Sequence, residues 1–142
     1  GDITVYGSDS LHGTSLLPEE IPNLIDEIPI LAVAGALGRG DFIVRNAREL
    51  RVKETDRIAA MAAEMNKFGA RVASGPDWIE VERGAAVAEN VEVATYDDHR
   101  MAMSFSLAAA AGVPVVIKDP GCTAKTYPAY FDEFFRIIGK RN

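Results

Sequence analysis

Leu31-Ala32-Val33-Ala34-Gly35-Ala36-Leu37 carries no polar side chain on any of its faces. Upstream, Asp26 reads as an N-cap, Glu27 suits a first helical turn and Pro29 is early enough to be tolerated. Downstream, Gly38 and Gly40 end the run. A helix that is apolar all round belongs inside a domain. A second run of this kind, Met101-Ala-Met-Ser-Phe-Ser-Leu-Ala-Ala-Ala-Ala111, follows Tyr96-Asp-Asp-His-Arg100 and stops at Gly112. Two such helices predict an inside-out α/β domain, with helices in the middle and sheets outside. In a doubly wound fold the strands would form the middle layer.

Strands are expected around these helices. Asp41–Asn46 and Pro114–Lys118 follow the two apolar runs, and Val91–Thr95 precedes the second. Arg71–Ala73 and Trp78–Glu82 flank Gly75-Pro76-Asp77 and predict a hairpin. Ile3–Tyr6 reads as a further short strand, and Gly7–Pro18 as loop. His12 lies in that loop without companion ligands, so it reads as a solvated histidine and not as a metal ligand. Asp119–Lys125 is a loop ahead of a last helix, Pro128–Ile138, with Pro128 at its first position.

The pattern recurs about 73 positions along the chain. Ala32–Leu37 falls on Phe105–Ala110, Phe42–Val44 on Val115–Ile117, and Glu54 on Tyr127. Each unit reads as helix, strand, helix and then a strand pair. The first unit covers about residues 20–90, and a second, partial one about 91–142. The second lacks its closing strands, which another segment is expected to supply.

Bulk properties narrow the function. The 142 residues carry a net charge of −6, which excludes the broad basic face of a general nucleic-acid binder but not a focused anion site. Cys122 is the single cysteine, so no internal disulfide framework is possible and a reducing, cytoplasmic setting is expected. The apolar run Ile28–Leu37 is too short to span a bilayer, and no signal-peptide pattern opens the chain.

The chemistry gathers at helix starts. Arg51-Val-Lys-Glu-Thr-Asp-Arg57 packs five charges into seven positions, just ahead of Ile58, Met61, Ala62, Met65 and Phe68 at helical spacing. The heptad is therefore expected to open a helix. Glu54 and Asp56 suit a helix N-terminus, whereas Lys53 and Arg57 oppose the dipole and lie four apart, on one face of a first turn. Two cations there would make an anion site, with Glu54 alongside able to move a proton. Asp26, the His99-Arg100 pair and Lys125 stand at the other helix starts. If the units align in parallel, all four starts meet at one end. That suits a substrate with more than one anionic group, phosphate and carboxylate together, and proton transfer beside it. A solvated, salt-bridged first turn would explain any one of these charges, but not all four starts at once.

Arg51-Val-Lys-Glu-Thr-Asp-Arg57, Asp97-Asp-His-Arg-Met-Ala-Met103 and Asp119-Pro-Gly-Cys-Thr-Ala-Lys125-Thr-Tyr-Pro128 closely resemble C-terminal motifs of the 5-enolpyruvylshikimate-3-phosphate (EPSP) synthase family, the 3-phosphoshikimate 1-carboxyvinyltransferases. Ile21–Pro29 is similar to that family's segment carrying a proton-accepting aspartate. The resemblance implies repeated βαβαββ units with helices inside, and makes residues 1–142 the larger part of a C-terminal domain. It implies a cytoplasmic, monomeric enzyme of the shikimate pathway, leading to chorismate and the aromatic amino acids. That enzyme moves the carboxyvinyl group of phosphoenolpyruvate to the 5-hydroxyl of shikimate 3-phosphate and releases phosphate, with no metal or cofactor. Its own N-terminal domain would be the partner, and neither nucleic acid nor membrane is involved.

By motif, the resemblance implies that Asp26 binds the shikimate hydroxyls and accepts a proton. Lys53 would contact the same hydroxyl, and Glu54 would protonate the phosphoenolpyruvate methylene. Arg57, Arg100 and Lys125 would hold the phosphoenolpyruvate anion, with His99 beside the site. One position departs from the family. Many members carry Asn four residues before the motif lysine, where this chain has Glu49, a carboxylate that would repel phosphate. Two alternatives share the architecture. UDP-N-acetylglucosamine enolpyruvyl transferase lacks the Asp-His-Arg and Cys-Thr-Ala-Lys signatures in this form. A non-catalytic anion-binding module would have no need of Glu54 beside the cations.

Overall fold

The computed structural model of the chain describes residues 1–7, 10–83 and 90–139. Ser8 and Asp9 of the expected first loop, and the ends of both expected repeat units, lie outside the described residues. A short helix α1 (Ile21–Leu24) leads into α2 (Ile28–Leu37). The cap of α2 is Glu27, one residue beyond the expected Asp26, and its side chain makes no capping bond. Asp26 is not a cap because its carboxylate is drawn to Lys53 and Arg57.

Strand β1 (Asp41–Val44) follows α2, and a 3-10 turn, Arg48–Val52, comes next. Helix α3 (Arg57–Lys67) begins only at the end of the charged heptad. Asp56 sets that start, because its side chain accepts from the Ala59 N–H and satisfies one of the orphan donors. Lys53 therefore lies outside the helix, not on its first turn with Arg57. The stripe of α3 packs as expected through Ile58, Met61 and Met65, and Phe68 beyond it meets Phe105 at 5.5 Å between ring centroids.

β2 (Arg71–Ser74) and β3 (Ile79–Glu82) form the expected hairpin. β3 pairs antiparallel with both β2 and β1, giving a three-stranded sheet in the order β1-β3-β2. Phe42 and Val44 of β1 and Ile79 and Val81 of β3 turn one apolar face inward, at the two-residue period of a half-buried sheet. On the free edge of β1, residues 11–16 run parallel and bond to it. Leu16 N–H donates to Ile43 O at 3.0 Å, and Ile43 N–H to Thr14 O at 2.9 Å. Part of the expected loop thus extends the sheet. Ile3–Tyr6, expected as a strand, is not one. Ile3, Val5 and Tyr6 are almost wholly exposed, and among the described residues no neighbouring strand satisfies their backbone.

β4 (Val91–Val93) and β5 (Val115–Ile117) pair in parallel across α4 (His99–Ser106), a β-α-β unit. The second apolar run does not stay α-helical. Leu107–Ala111 tightens into a 3-10 turn, closed by Gly112 at a φ of 83°. A third 3-10 turn, Pro120–Lys125, replaces the expected loop, and α5 (Tyr130–Ile138) starts two residues past Pro128. β1, the Arg48–Val52 turn and α3 correspond in order to β5, the Pro120–Lys125 turn and α5, about 73 residues apart.

Helices α2, α3 and α4 pack on one another and reach both sheets. Burial of the two apolar runs is less complete than expected. Ile28, Ala32, Val33, Gly35 and Ala36 of α2 are buried, and so are Met101, Ala102 and Phe105. Ile30, Leu31, Ala34 and Leu37 are only half-buried, and Leu107 is exposed. Ile30 and Leu107 front an apolar groove of about 510 Å³, walled opposite by Phe134 and Ile137. Among the described residues no helix is long and apolar enough to cross a membrane.

Candidate active site

Arg57 is the centre of the site. Its side chain is 1% exposed although it opens a helix, a position where a cation is unfavourable unless carboxylates meet it. Three do. Nε donates to Asp98 Oδ2 at 2.8 Å, Nη1 to Asp26 Oδ1 at 2.8 Å, and Nη2 to Glu54 Oε2 at 2.8 Å. Burial alone would weaken the Arg57 charge, but the bonds and charges of Asp98, Asp26 and Glu54 outweigh it and raise its pKa.

The other predicted cations surround this centre. Lys53 Nζ sits 2.5 Å from Glu49 Oε1 and 3.5 Å from Asp26 Oδ1. The hydrogen bond to Glu49 is the largest effect on Lys53, burial opposes it, and with the charges of Asp26 and Glu49 added the Lys53 pKa is held above its ordinary value. Arg100 Nη1 donates to Asp26 O at 2.9 Å and to Glu27 Oε1 at 2.6 Å. Lys125 Nζ donates to Asp97 O at 2.9 Å. Asp98 does two things at once, because Oδ1 also accepts from Arg100 N–H at 2.8 Å and so caps α4.

Burial pushes the Asp26 carboxyl up. The hydrogen bond from Arg57 and the charges of Lys53, Arg57 and Arg100 together win, and hold it below the ordinary carboxylate range. Asp26 is thus an anion shared between two cations. Glu54 is more than a third exposed and adjoins Arg57, open to an incoming group. His99 is buried, and its Nδ1 has no hydrogen-bond partner, being 3.9 Å from Asp98 Oδ1.

The structure brings Asp26, Lys53, Glu54, Arg57 and Arg100 into one connected cluster and places His99 beside it. Lys125 joins through Asp97, the neighbour of Asp98, and from the end of a 3-10 turn, not a helix start. The carboxylates exceed the sequence expectation. Glu27, Glu49, Asp97 and Asp98 stand with Asp26 and Glu54, so each cation already has a partner. An anionic ligand must exchange with these carboxylates. Glu49 does so most directly, since it occupies Lys53. Arg51, the first residue of the heptad, is spent elsewhere. It clamps Asp56 at 2.7 Å and the Gly75 and Pro76 carbonyls, tying the hairpin to the cap of α3. Among the described residues no three His, Cys, Asp or Glu side chains are grouped as metal ligands would be.

Comparison with known proteins gives the chain a family. Residues 2–134 match the family model described as EPSP synthase (3-phosphoshikimate 1-carboxyvinyltransferase). The 3-phosphoshikimate 1-carboxyvinyltransferase of Akkermansia muciniphila is 63% identical over 131 residues, covering 92% of this chain and 30% of the relative. That of Burkholderia cenocepacia is 53% identical over 134 residues, covering 93% and 31%. The solved EPSP synthase of Acinetobacter baumannii superposes with a TM-score of 0.77 at 31% identity, covering 89% of this chain and 30% of that one. The chain thus spans about 30% of the length of the curated relatives it matches. With nearly its whole length matched, and the inside-out α/β architecture shared with a solved member, the chain belongs to the EPSP synthase family.

Proposed function

We propose that this chain is the larger part of the C-terminal domain of a cytoplasmic 3-phosphoshikimate 1-carboxyvinyltransferase, acting with an N-terminal domain of the same enzyme. The reaction joins the shikimate 3-phosphate 5-hydroxyl oxygen to C2 of phosphoenolpyruvate while C3 gains a proton. Phosphate then leaves C2 and C3 loses a proton, which restores the methylene. Arg57, Arg100 and Lys125 hold the phosphoenolpyruvate anion. Glu54 gives the proton to C3. Asp26 and Lys53 meet the 5-hydroxyl, and Asp26 takes its proton.

The observation that carries this reading is the single guanidinium of Arg57 shared by Asp26 and Glu54. An anion that draws Arg57 away from Asp26 removes the hydrogen bond that does most to depress that carboxyl, leaving the charges of Lys53 and Arg100, and so makes it a stronger base as the substrate arrives. Acid, base and anion clamp are thereby linked through one side chain. The uncovered apolar groove beside α4 and α5 and the 30% span both support a domain completed by further chain.

The test is phosphate release. The intact enzyme should release phosphate only when phosphoenolpyruvate and shikimate 3-phosphate are both present. The purified 142-residue chain should release none, because its anion clamps are incomplete and no domain closes over them to exclude water. Turnover by the chain alone would refute the need for a second domain. An intact enzyme idle with both substrates would refute the reaction.

A further inference from the structure

Glu64 lies on α3, away from the cluster, and its side chain is fully buried. A buried carboxylate is costly unless fully bonded, and this one is. Oε1 accepts from the Tyr96 hydroxyl at 2.7 Å, while Oε2 accepts from Lys67 Nζ at 2.6 Å and from Ala94 N–H at 3.1 Å. Two of these partners belong to the segment between β4 and α4. There Tyr96 and Asp97 both take left-handed backbone, at φ 56° and 54°. Aspartate tolerates this backbone, but tyrosine does not, so the conformation at Tyr96 needs support from outside the turn.

The turn ends at the site. Asp98, the next residue, holds Arg57 and caps α4, and the Asp97 carbonyl receives Lys125. The two sides of the turn therefore have different anchors. Lys125 grips Asp97 from the site side, and Glu64 grips Tyr96 and Ala94 from the core side. When Lys125 turns to a substrate anion, Asp98 keeps its bonds to Arg57 and to the Thr95 carbonyl, and Glu64 is the anchor that still holds Tyr96 and Ala94.

We propose that Glu64, through Tyr96, is a positioning residue for the anion clamp, fixing the left-handed turn that sets Asp98 against Arg57 and Asp97 against Lys125. This rests on the reading above, in which Arg57 and Lys125 hold phosphoenolpyruvate. Tyr96→Phe removes one hydroxyl from a side chain that is 42% exposed, and should leave the fold intact. Glu64→Ala removes both bonds to the turn. Glu64→Gln keeps an oxygen for Ala94 N–H and offers an amide to the Tyr96 oxygen.

In the intact enzyme, Glu64→Ala should raise the KM for phosphoenolpyruvate about tenfold and Tyr96→Phe about threefold, with the KM for shikimate 3-phosphate within about twofold. Glu64→Gln should restore most of the loss, and Tyr96→Phe should add little in the Glu64→Ala background. Amide exchange of residues 94–98 should quicken in Tyr96→Phe. An unchanged phosphoenolpyruvate KM in Tyr96→Phe, or equal rises for both substrates, overturns the proposal. Unchanged exchange at 94–98 does so as well. If the unmodified enzyme releases no phosphate, the functional reading fails first, and the exchange measurement alone decides whether Glu64 holds the turn.

Discussion

Arg57 Nε donates to Asp98 Oδ2 at 2.8 Å across 41 residues of sequence, and neither side chain is reached by solvent. Such a pair is stable only as a pair, since either charge left alone in the interior costs far more than the pair contributes. Asp98→Ala should therefore destabilise the domain by about 3–5 kcal/mol, with about 1 kcal/mol of that from the lost cap on α4. Asp98→Asn keeps a cap and an acceptor and should cost about 1–3 kcal/mol. Chemical denaturation of the intact protein measures both. A loss under about 1 kcal/mol for the alanine variant would mean that Asp26 and Glu54 compensate Arg57 without Asp98.

Asp26 predicts a pH dependence. Its pKa is lowered in the folded chain, so its contribution is fully present above the unfolded value of about 3.9 and is lost as pH falls through the lower folded value. The stability gap between the unmodified protein and Asp26→Asn should stay constant from neutral pH down to about 5. Below about pH 4 it should close. Carbon NMR of the Asp26 carboxyl gives the same answer directly. A midpoint above about 4.5 would mean that burial outweighs Arg57 and Lys53.

Local pattern carried most of the fold. The first apolar run, the stripe on α3 and the Gly75-Pro76-Asp77 hairpin depend on neighbours in sequence and form, while the second apolar run is α-helical only as far as Ser106. What local pattern could not show is competition. Asp26 and Asp56 both suit a helix N-terminus, but only Asp56 caps one: its Oδ1 accepts from Ala59 N–H while Arg51 holds the same carboxylate, whereas Asp26 Oδ1 is turned to Arg57 and Lys53. Asp98 stands in the Asp97–Met103 motif without a role read for it, because its bond to Arg57 spans 41 residues. Glu27, paired with Arg100 across 73 residues, and Glu64, paired with Tyr96 across 32, gave no local signal at all. Ile3–Tyr6 reads locally as a strand but has no partner among the described residues, and a strand is defined by its partner.

Gly35 tests the packing of α2 on the first sheet. A Cβ there would fall 2.4 Å from Phe42 Cβ, and Phe42 is 1% exposed. Alanine would favour the helix by about 1 kcal/mol. The clash is with the base of the phenylalanine side chain, which moves only with its strand, so overpacking of about 1–3 kcal/mol opposes that gain. Gly35→Ala should lower the melting temperature. A rise would mean that α2 and β1 can separate by several tenths of an ångström without loss.

The proposed roles of Glu54 and Arg100 separate kinetically. Glu54→Gln keeps the shape of the side chain and an oxygen for Arg57 Nη2, now 2.8 Å from the carboxylate, but removes the acid. Protonation of a methylene carbon is made only in the transition state, so kcat should fall by about 10²–10⁴ with little change in the KM for phosphoenolpyruvate. Arg100 is held by Glu27 and the Asp26 carbonyl, ready to exchange both for an anion. Arg100→Ala removes a charged clamp that acts in ground and transition states alike, so the KM for phosphoenolpyruvate should rise more than kcat falls. Phosphate release by the intact enzyme, with phosphoenolpyruvate varied at saturating shikimate 3-phosphate, separates the two. If Glu54→Gln retained near-normal kcat, the proton would have to come from another group. His99, buried beside the cluster with Nδ1 free of hydrogen bonds among the described residues, is then the next residue to substitute.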